Sequence, residues 1–158
     1  MLIKELMQTF HNTGKVEWLS YRTKSREPLV VADEIEVTIE DGIVGDRYKG
    51  ANRNRQVTLI QAEHLEAVGK ILGKTPIDPE LTRRNIVVSG INLLAFNGLE
   101  FRIGEVILKM TGYCHPCSRM EENLGTGGYN AMRGHGGITA SVVRGGKIKL
   151  GDNVGLGD

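Results

Sequence analysis

Cysteine is scarce in this chain. Cys114 and Cys117 are the only two in 158 residues. Two thiols cannot make the web of bridges that staples small secreted domains, and their two-residue spacing suits chemistry better than stapling. Net charge is scarce as well. Twenty Lys and Arg face 19 Asp and Glu, a formal net charge of +1, so no global basic field points to nucleic acid or an anionic membrane as partner. No apolar run approaches the length of a membrane span. The opening Met1-Leu2-Ile3-Lys4-Glu5-Leu6-Met7 is too charged for a signal peptide, and a reducing cytoplasm is the expected location. Internal repeats and low-complexity tracts are missing. So are a P-loop, a GxGxxG in strand–helix context and a legible Ser-His-Asp order.

What is present fits one ordinary globular domain, with enough chain to bury a core unaided. Leu2, Ile3, Leu6, Met7 and Phe10 recur at helical spacing, so an N-terminal helical extension over residues 1–14, ended by Gly14, is predicted before a core over 15–154. Strands are expected at Val16–Tyr21, at 34–40 where Ile35, Val37 and Ile39 alternate with polar residues, at Gln56–Ile60 and at Ile86–Val88. Phe101–Met110 reads as a strand pair broken at Gly104-Glu105. Ala62–Leu72 is the clearest helix, with Leu65, Val68, Ile71 and Leu72 on one side and Gly73 behind it. Pro116–Leu124 reads as a short helix. Asp41–Gly50 and Gly125–Gly137 read as glycine-rich loops, the second of them mobile. Ile138–Val143 and Lys147–Leu150 flank Gly145-Gly146 as a hairpin. Strands do not alternate regularly with helices, so the expected fold is mainly β (α+β): an antiparallel β-barrel with a few peripheral helices.

Four segments carry candidate chemistry. Cys114-His115-Pro116-Cys117 stands where a strand gives way to a helix, and a helix N-terminus favours a thiolate. A dithiol redox pair fits that spacing, although such pairs normally follow an early strand of a βαβ unit. Zinc would need a second knuckle, and only irregularly placed His115 or His135 could complete one. Two buried, inert thiols are the plain alternative. In Gly45-Asp46-Arg47, glycine permits close backbone approach and Arg47 can grip a phosphate; a tight turn with a surface ion pair is the plain alternative. In Arg83-Arg84-Asn85, two adjacent arginines on a strand point to opposite faces, so at most one is expected at a given site. Arg133-Gly134-His135-Gly136-Gly137 sets a cation and an imidazole in a glycine-rich stretch.

These segments, in this order, resemble the MOSC domain, the module related to the C-terminal domain of molybdenum-cofactor sulfurases that also occurs as a stand-alone bacterial protein. The resemblance runs from about Lys15 to Val154. It includes Gly42-Ile43-Val44-Gly45-Asp46-Arg47, Arg55-Gln56-Val57-Thr58-Leu59, Arg83-Arg84-Asn85-Ile86 and Asn97-Gly98-Leu99-Glu100-Phe101-Arg102-Ile103-Gly104. It continues through Cys114–Cys117 and Arg133-Gly134 to Gly145-Gly146-Lys147-Ile148-Lys149-Leu150-Gly151-Asp152.

The resemblance implies a barrel fold and a functional cysteine, for which Cys117 is the match. That cysteine would serve as thiolate ligand of molybdenum in the molybdenum cofactor (molybdopterin), or as a sulfur carrier holding a persulfide. It further implies Arg47, Arg84, Asn85 and Arg133 as cofactor-binding residues, His135 as a catalytic proton donor beside Cys117, and reduction of N-hydroxylated compounds as the reaction. An electron-donating reductase or a sulfur-transfer protein is the partner it implies. No sulfurase domain is legible, so pyridoxal phosphate is not expected within this chain.

Overall fold

The computed structural model describes residues 1–24, 27–48 and 52–157. Seven strands close a barrel in the order β1 (Gly14–Tyr21), β11 (Asn153–Leu156), β7 (Glu100–Ile103), β8 (Val106–Tyr113), β9 (Ile138–Arg144), β5 (Val57–Gln61) and β6 (Ile86–Ser89), which returns to β1. The short β2 (Val30–Ala32) extends the barrel sheet on the far side of β1. A second sheet of β10 (Gly146–Lys149), β3 (Glu34–Thr38) and β4 (Gly42–Ile43) packs its Ile35, Val37, Ile43 and Ile148 into the same core. Gln56 ties the two sheets together. Its amide donates to the Ile39 carbonyl at 2.7 Å and accepts from Val142 N–H at 2.8 Å.

Alternation along the strands decides which layer each side chain joins. In β5 and β6, Leu59, Ile86 and Val88 face the barrel interior, while Ile60 and Val87 face outward. On that outer face lie α2 (Ala62–Leu72), α3 (Ser118–Leu124) and α4 (Gly128–Met132), which bury Leu65, Val68, Met120, Leu124, Ala131 and Met132. β5 and β6 are parallel, with Leu59 opposite Ile86. A parallel neighbour requires a crossover, and α2 supplies it. The barrel is therefore mixed, with one parallel pair among otherwise antiparallel neighbours.

Most expected elements appear, and five details differ. The N-terminal helix shrinks to α1 (Ile3–Leu6), which has no buried residue, and a single turn without a buried face gains little. Gly14 does not end it but starts β1, where a Cβ would lie 2.6 Å from Ile91 Cγ2 and 2.7 Å from the Ser89 carbonyl. Gly145-Gly146 does not turn a hairpin: β9 stays in the barrel and β10 crosses to pair with β3. On α2, Ile71 faces solvent. Residues 125–137 are packed rather than mobile. They contain α4, and a Cβ at Gly137 would fall 1.9 Å from the Leu59 carbonyl. The Glu121 carboxylate secures this segment by accepting from Gly127 N–H at 2.8 Å and Tyr129 N–H at 3.0 Å. Of the expected loop 41–50, Lys49 and Gly50 lie outside the described residues.

Two glycines in this segment separate packing from backbone strain. Gly134 and Gly137 both hold positive φ, at 79° and 87°, but Gly134 faces open space. Gly134→Ala should cost about 1–2 kcal/mol, the left-handed penalty alone. Gly137→Ala should cost several-fold more, because the β5 backbone must move. Denaturant midpoints of the two variants check this, and equal losses would mean the segment is loosely held.

Candidate functional site

A cavity of about 450 Å³ opens between the end of β1, the starts of β5 and β6, and the segment after β8. Six guanidiniums converge on it, from Arg22, Arg47, Arg55, Arg83, Arg84 and Arg119. Cys117, His115, Tyr48, Thr58 and Asn85 share its wall. Among the described residues no carboxylate forms an ion pair with any of the six arginines. The one carboxylate on the cavity among the described residues is Asp46, and it is committed to the backbone: Oδ1 accepts from Arg22 N–H and Oδ2 from Tyr48 N–H, each at 3.0 Å. Those bonds, with Arg47 N–H donating to the Arg22 carbonyl at 2.7 Å, fasten the 45–48 turn to the end of β1.

Arg84 is the most unusual of the six. It is 7% exposed. Its Nε donates to the Gly136 carbonyl at 2.7 Å and Nη1 to the Thr82 carbonyl at 2.9 Å, while Nη2 is buried without a hydrogen-bond partner. Burial holds the guanidinium below its ordinary pKa, and negative charge at Cys114 or Cys117 offsets that. The side chain of the next residue ties two strands, β5 and β1, together. Asn85 Oδ1 accepts from Thr58 N–H and Thr58 Oγ1, each at 3.0 Å, and its amide nitrogen donates to the Ser20 carbonyl at 3.3 Å.

Both Arg83 and Arg84 reach the cavity, against the expectation that only one would. The pair precedes β6 rather than lying in it, and Arg83 adopts φ 62°, the one left-handed non-glycine among the described residues. That conformation breaks the strand alternation and costs about 1–2 kcal/mol, strain that clusters at functional sites. Arg83 too is held below its ordinary pKa. Burial is the main cause, followed by the charges of Arg119 and Arg22, with a smaller contribution from Arg47; Cys117 acts in the opposite sense. The cations thus crowd one another, and a negative charge at Cys117 would offset part of that repulsion.

The two cysteines are free and unequal: Cys114 is buried and Cys117 exposed. Cys114 sits in the core, and its backbone N–H donates to the Gly137 carbonyl at 2.8 Å. Cys117 precedes α3 at the cavity wall. No group of three or more His, Cys, Asp or Glu side chains among the described residues is placed to hold a metal ion by itself.

Of the residues singled out in the sequence, Arg47, Arg84, Asn85 and Cys117 come together. Arg133 and His135 do not line the cavity. Past α4 the chain turns back against Cys114 and Leu59. Arg133 is left in solvent near Asn130, and the His135 ring stands edge-on to His64, centroids 5.1 Å apart, with Nδ1 2.9 Å from the Ala131 carbonyl. The imidazole on the cavity is His115 instead. Arg22, Arg55, Arg119 and Thr58 were not foreseen as site residues. Arg55 and Thr58 stand within a segment that carried the resemblance, and Arg119 is two residues from Cys117; nothing in the sequence marked Arg22.

The family comparison matches the MOSC domain over residues 45–155. No curated protein matches the chain. Among solved structures, the YuaD protein from Bacillus subtilis is 22% identical, with TM-score 0.79 over 90% of this chain and 94% of that one. YiiM from Escherichia coli is 20% identical, with TM-score 0.68 over 91% and 70% of the two chains. YiiM from Geobacillus stearothermophilus is 15% identical, with TM-score 0.69 over 92% and 75%. At these identities the likeness shows the fold alone. No helix among the described residues is long and apolar enough to cross a membrane.

The His64–His135 contact has a pH consequence. The His64 pKa is lowered from the ordinary 6.5, first by burial and then by His135, with Glu63 opposing. The unfolded chain therefore takes up the proton more readily, so this contribution is complete above about pH 6.5 and is lost as pH falls toward the folded value. The stability difference between parent and His64→Gln should shrink or reverse as pH drops from 7.5 to about 5.5. Denaturant unfolding across that range tests it, and a constant difference would refute the assignment.

Proposed function

We propose that this chain, which belongs to the MOSC domain family, binds the molybdenum cofactor in the arginine-lined cavity, with Cys117 as thiolate ligand of the metal. The observation that carries this reading is the convergence of six guanidiniums, unpaired with any described carboxylate, on a cavity that also holds an exposed thiol. The donor set fits the group. Guanidinium forks match phosphate oxygens, and a thiolate suits a soft metal. Arg84 adds a specific argument, because its buried, unpartnered Nη2 still lacks an acceptor.

When bound, the cofactor would supply two-electron redox chemistry. The protein's own residues have separable duties. Arg84 and Arg83 would hold the cofactor's phosphate from the buried side, with Arg55 and Arg47 contributing from the exposed side. Asn85 would act mainly as a brace, since its side chain already bonds Thr58 and Ser20. His115 replaces His135 as the proton-carrying group, because it is the imidazole that lines the cavity. We extend the reading to reduction of N-hydroxylated compounds with electrons from a separate reductase.

The exposure of Cys117 favours a second reading, a sulfur carrier holding a persulfide on that residue. Burial of Cys114 supports both single-thiol readings over a reversible disulfide, which would have to draw that sulfur out of the core.

Protein purified from a host that makes the cofactor should contain molybdenum and pterin, and Cys117→Ser should lose most of the metal. Elemental analysis of parent and variant checks this. Equal molybdenum in the two would rule out the ligand assignment.

A further inference from the structure

We propose that Cys117 accepts sulfur from a small sulfur oxyanion of the thiosulfate class, bound by the arginines of the same cavity. The proposal rests on the persulfide reading of Cys117 and adds the identity of its donor. A protein donor must bring a cysteine persulfide to the thiol. A sulfur oxyanion needs only a cationic recess around an accessible thiolate.

The chemistry of the cavity fits the second case. In water a thiolate and a dianionic donor repel each other, which slows their reaction. Guanidiniums on the wall offset that repulsion and bind the oxyanion through charge-assisted bonds. Arg84 lines the cavity, and its buried Nη2 has no hydrogen-bond partner within the protein. The Sγ of Cys117 attacks the outer sulfur of thiosulfate. A new S–S bond forms as the bond to the sulfonate sulfur breaks, and sulfite leaves with the electron pair. Charge is conserved, the product is a persulfide anion, and no outside oxidant or reductant takes part. Sulfite leaves as an anion, so the step needs no proton donor.

Cys114 completes the argument by being out of reach. A neighbouring accessible thiol would attack the persulfide and release sulfide. Buried at 3% exposure, Cys114 leaves the persulfide to an outside acceptor.

The test uses protein free of molybdenum cofactor, incubated with sodium thiosulfate. Sulfite should be released in amounts matching a gain of one sulfur atom on Cys117, read by intact mass and peptide mapping. Dithiothreitol should reverse the gain, sulfate should compete, and Cys117→Ser should neither gain sulfur nor release sulfite. Arg119→Ala, an exposed position, should slow loading by about three- to tenfold and should slow it more than it slows alkylation by the neutral reagent iodoacetamide. Failure of thiosulfate to load a Cys117 that iodoacetamide still alkylates would overturn the proposal. So would an Arg119→Ala effect no larger on loading than on alkylation. A parallel incubation with a cysteine desulfurase and cysteine separates the two claims. Loading there but not from thiosulfate sinks the oxyanion donor and leaves the persulfide reading standing. Loading in neither sinks both.

Discussion

A guanidinium taken out of water is the constraint on which the site depends. An arginine keeps its charge under ordinary conditions, so burying Arg84 is costly unless acceptors are supplied, and here Nε and Nη1 have them while Nη2 does not. Two carbonyls are brought to it, from Gly136 and Thr82, and each dictates local structure. Gly136 can come near only because it has no side chain: a Cβ there would lie 2.0 Å from the Cys114 carbonyl. The residues around the arginine are then fixed in turn. Ser20 Oγ donates to the Arg84 carbonyl at 3.1 Å, and Ser20 N–H to the Asn85 carbonyl at 2.8 Å, so the arginine's backbone is clamped to β1. The strained turn at Arg83 is held in place by these neighbours, and strain of that kind persists only where its surroundings over-determine it.

The fold was largely legible because its strands obey simple alternation. Ile35 and Val37 between glutamates, or Phe101 and Ile103 around Arg102, announce a half-buried strand whatever surrounds them. One difference arises because chain neighbours need not be spatial neighbours. Gly145-Gly146 looks like a hairpin locally, yet β10 pairs with β3 and buries Ile148 in the core. The glycines of 125–137 were read as freedom of movement. At Gly136 and Gly137 they mean the opposite, a close approach of backbone to backbone that forbids a side chain.

Part of the cavity wall is legible in the sequence: Arg47, Arg84 and Cys117 stand in motif-borne segments and line it. Arg22, Arg55 and Arg119 come from three separate segments, and no spacing rule joins them; only barrel closure does. His135 failed for a related reason. Its glycine-rich setting resembled that of a ligand loop, but those glycines serve to dock the segment on Leu59 and Cys114, and the docking turns the imidazole toward His64.

The electrostatics of the cavity select its ligand before any chemistry begins. Arg83 is held below its ordinary pKa partly by Arg119, Arg22 and Arg47, so these cations repel one another. An anion that enters offsets part of the repulsion among these cations, which favours its binding. A neutral ligand of the same size gains nothing of the kind. The thiol enforces a second condition, because Cys117 stands among the guanidiniums and its charged form stabilises both Arg83 and Arg84. A ligand that brings an anion to the arginines and a sulfur-seeking centre to Cys117 satisfies both conditions at once. A metal-bearing pterin phosphate does so through its phosphate and its metal, and a sulfur oxyanion does so within a single small molecule. The two proposed roles are therefore consequences of one arrangement of charge.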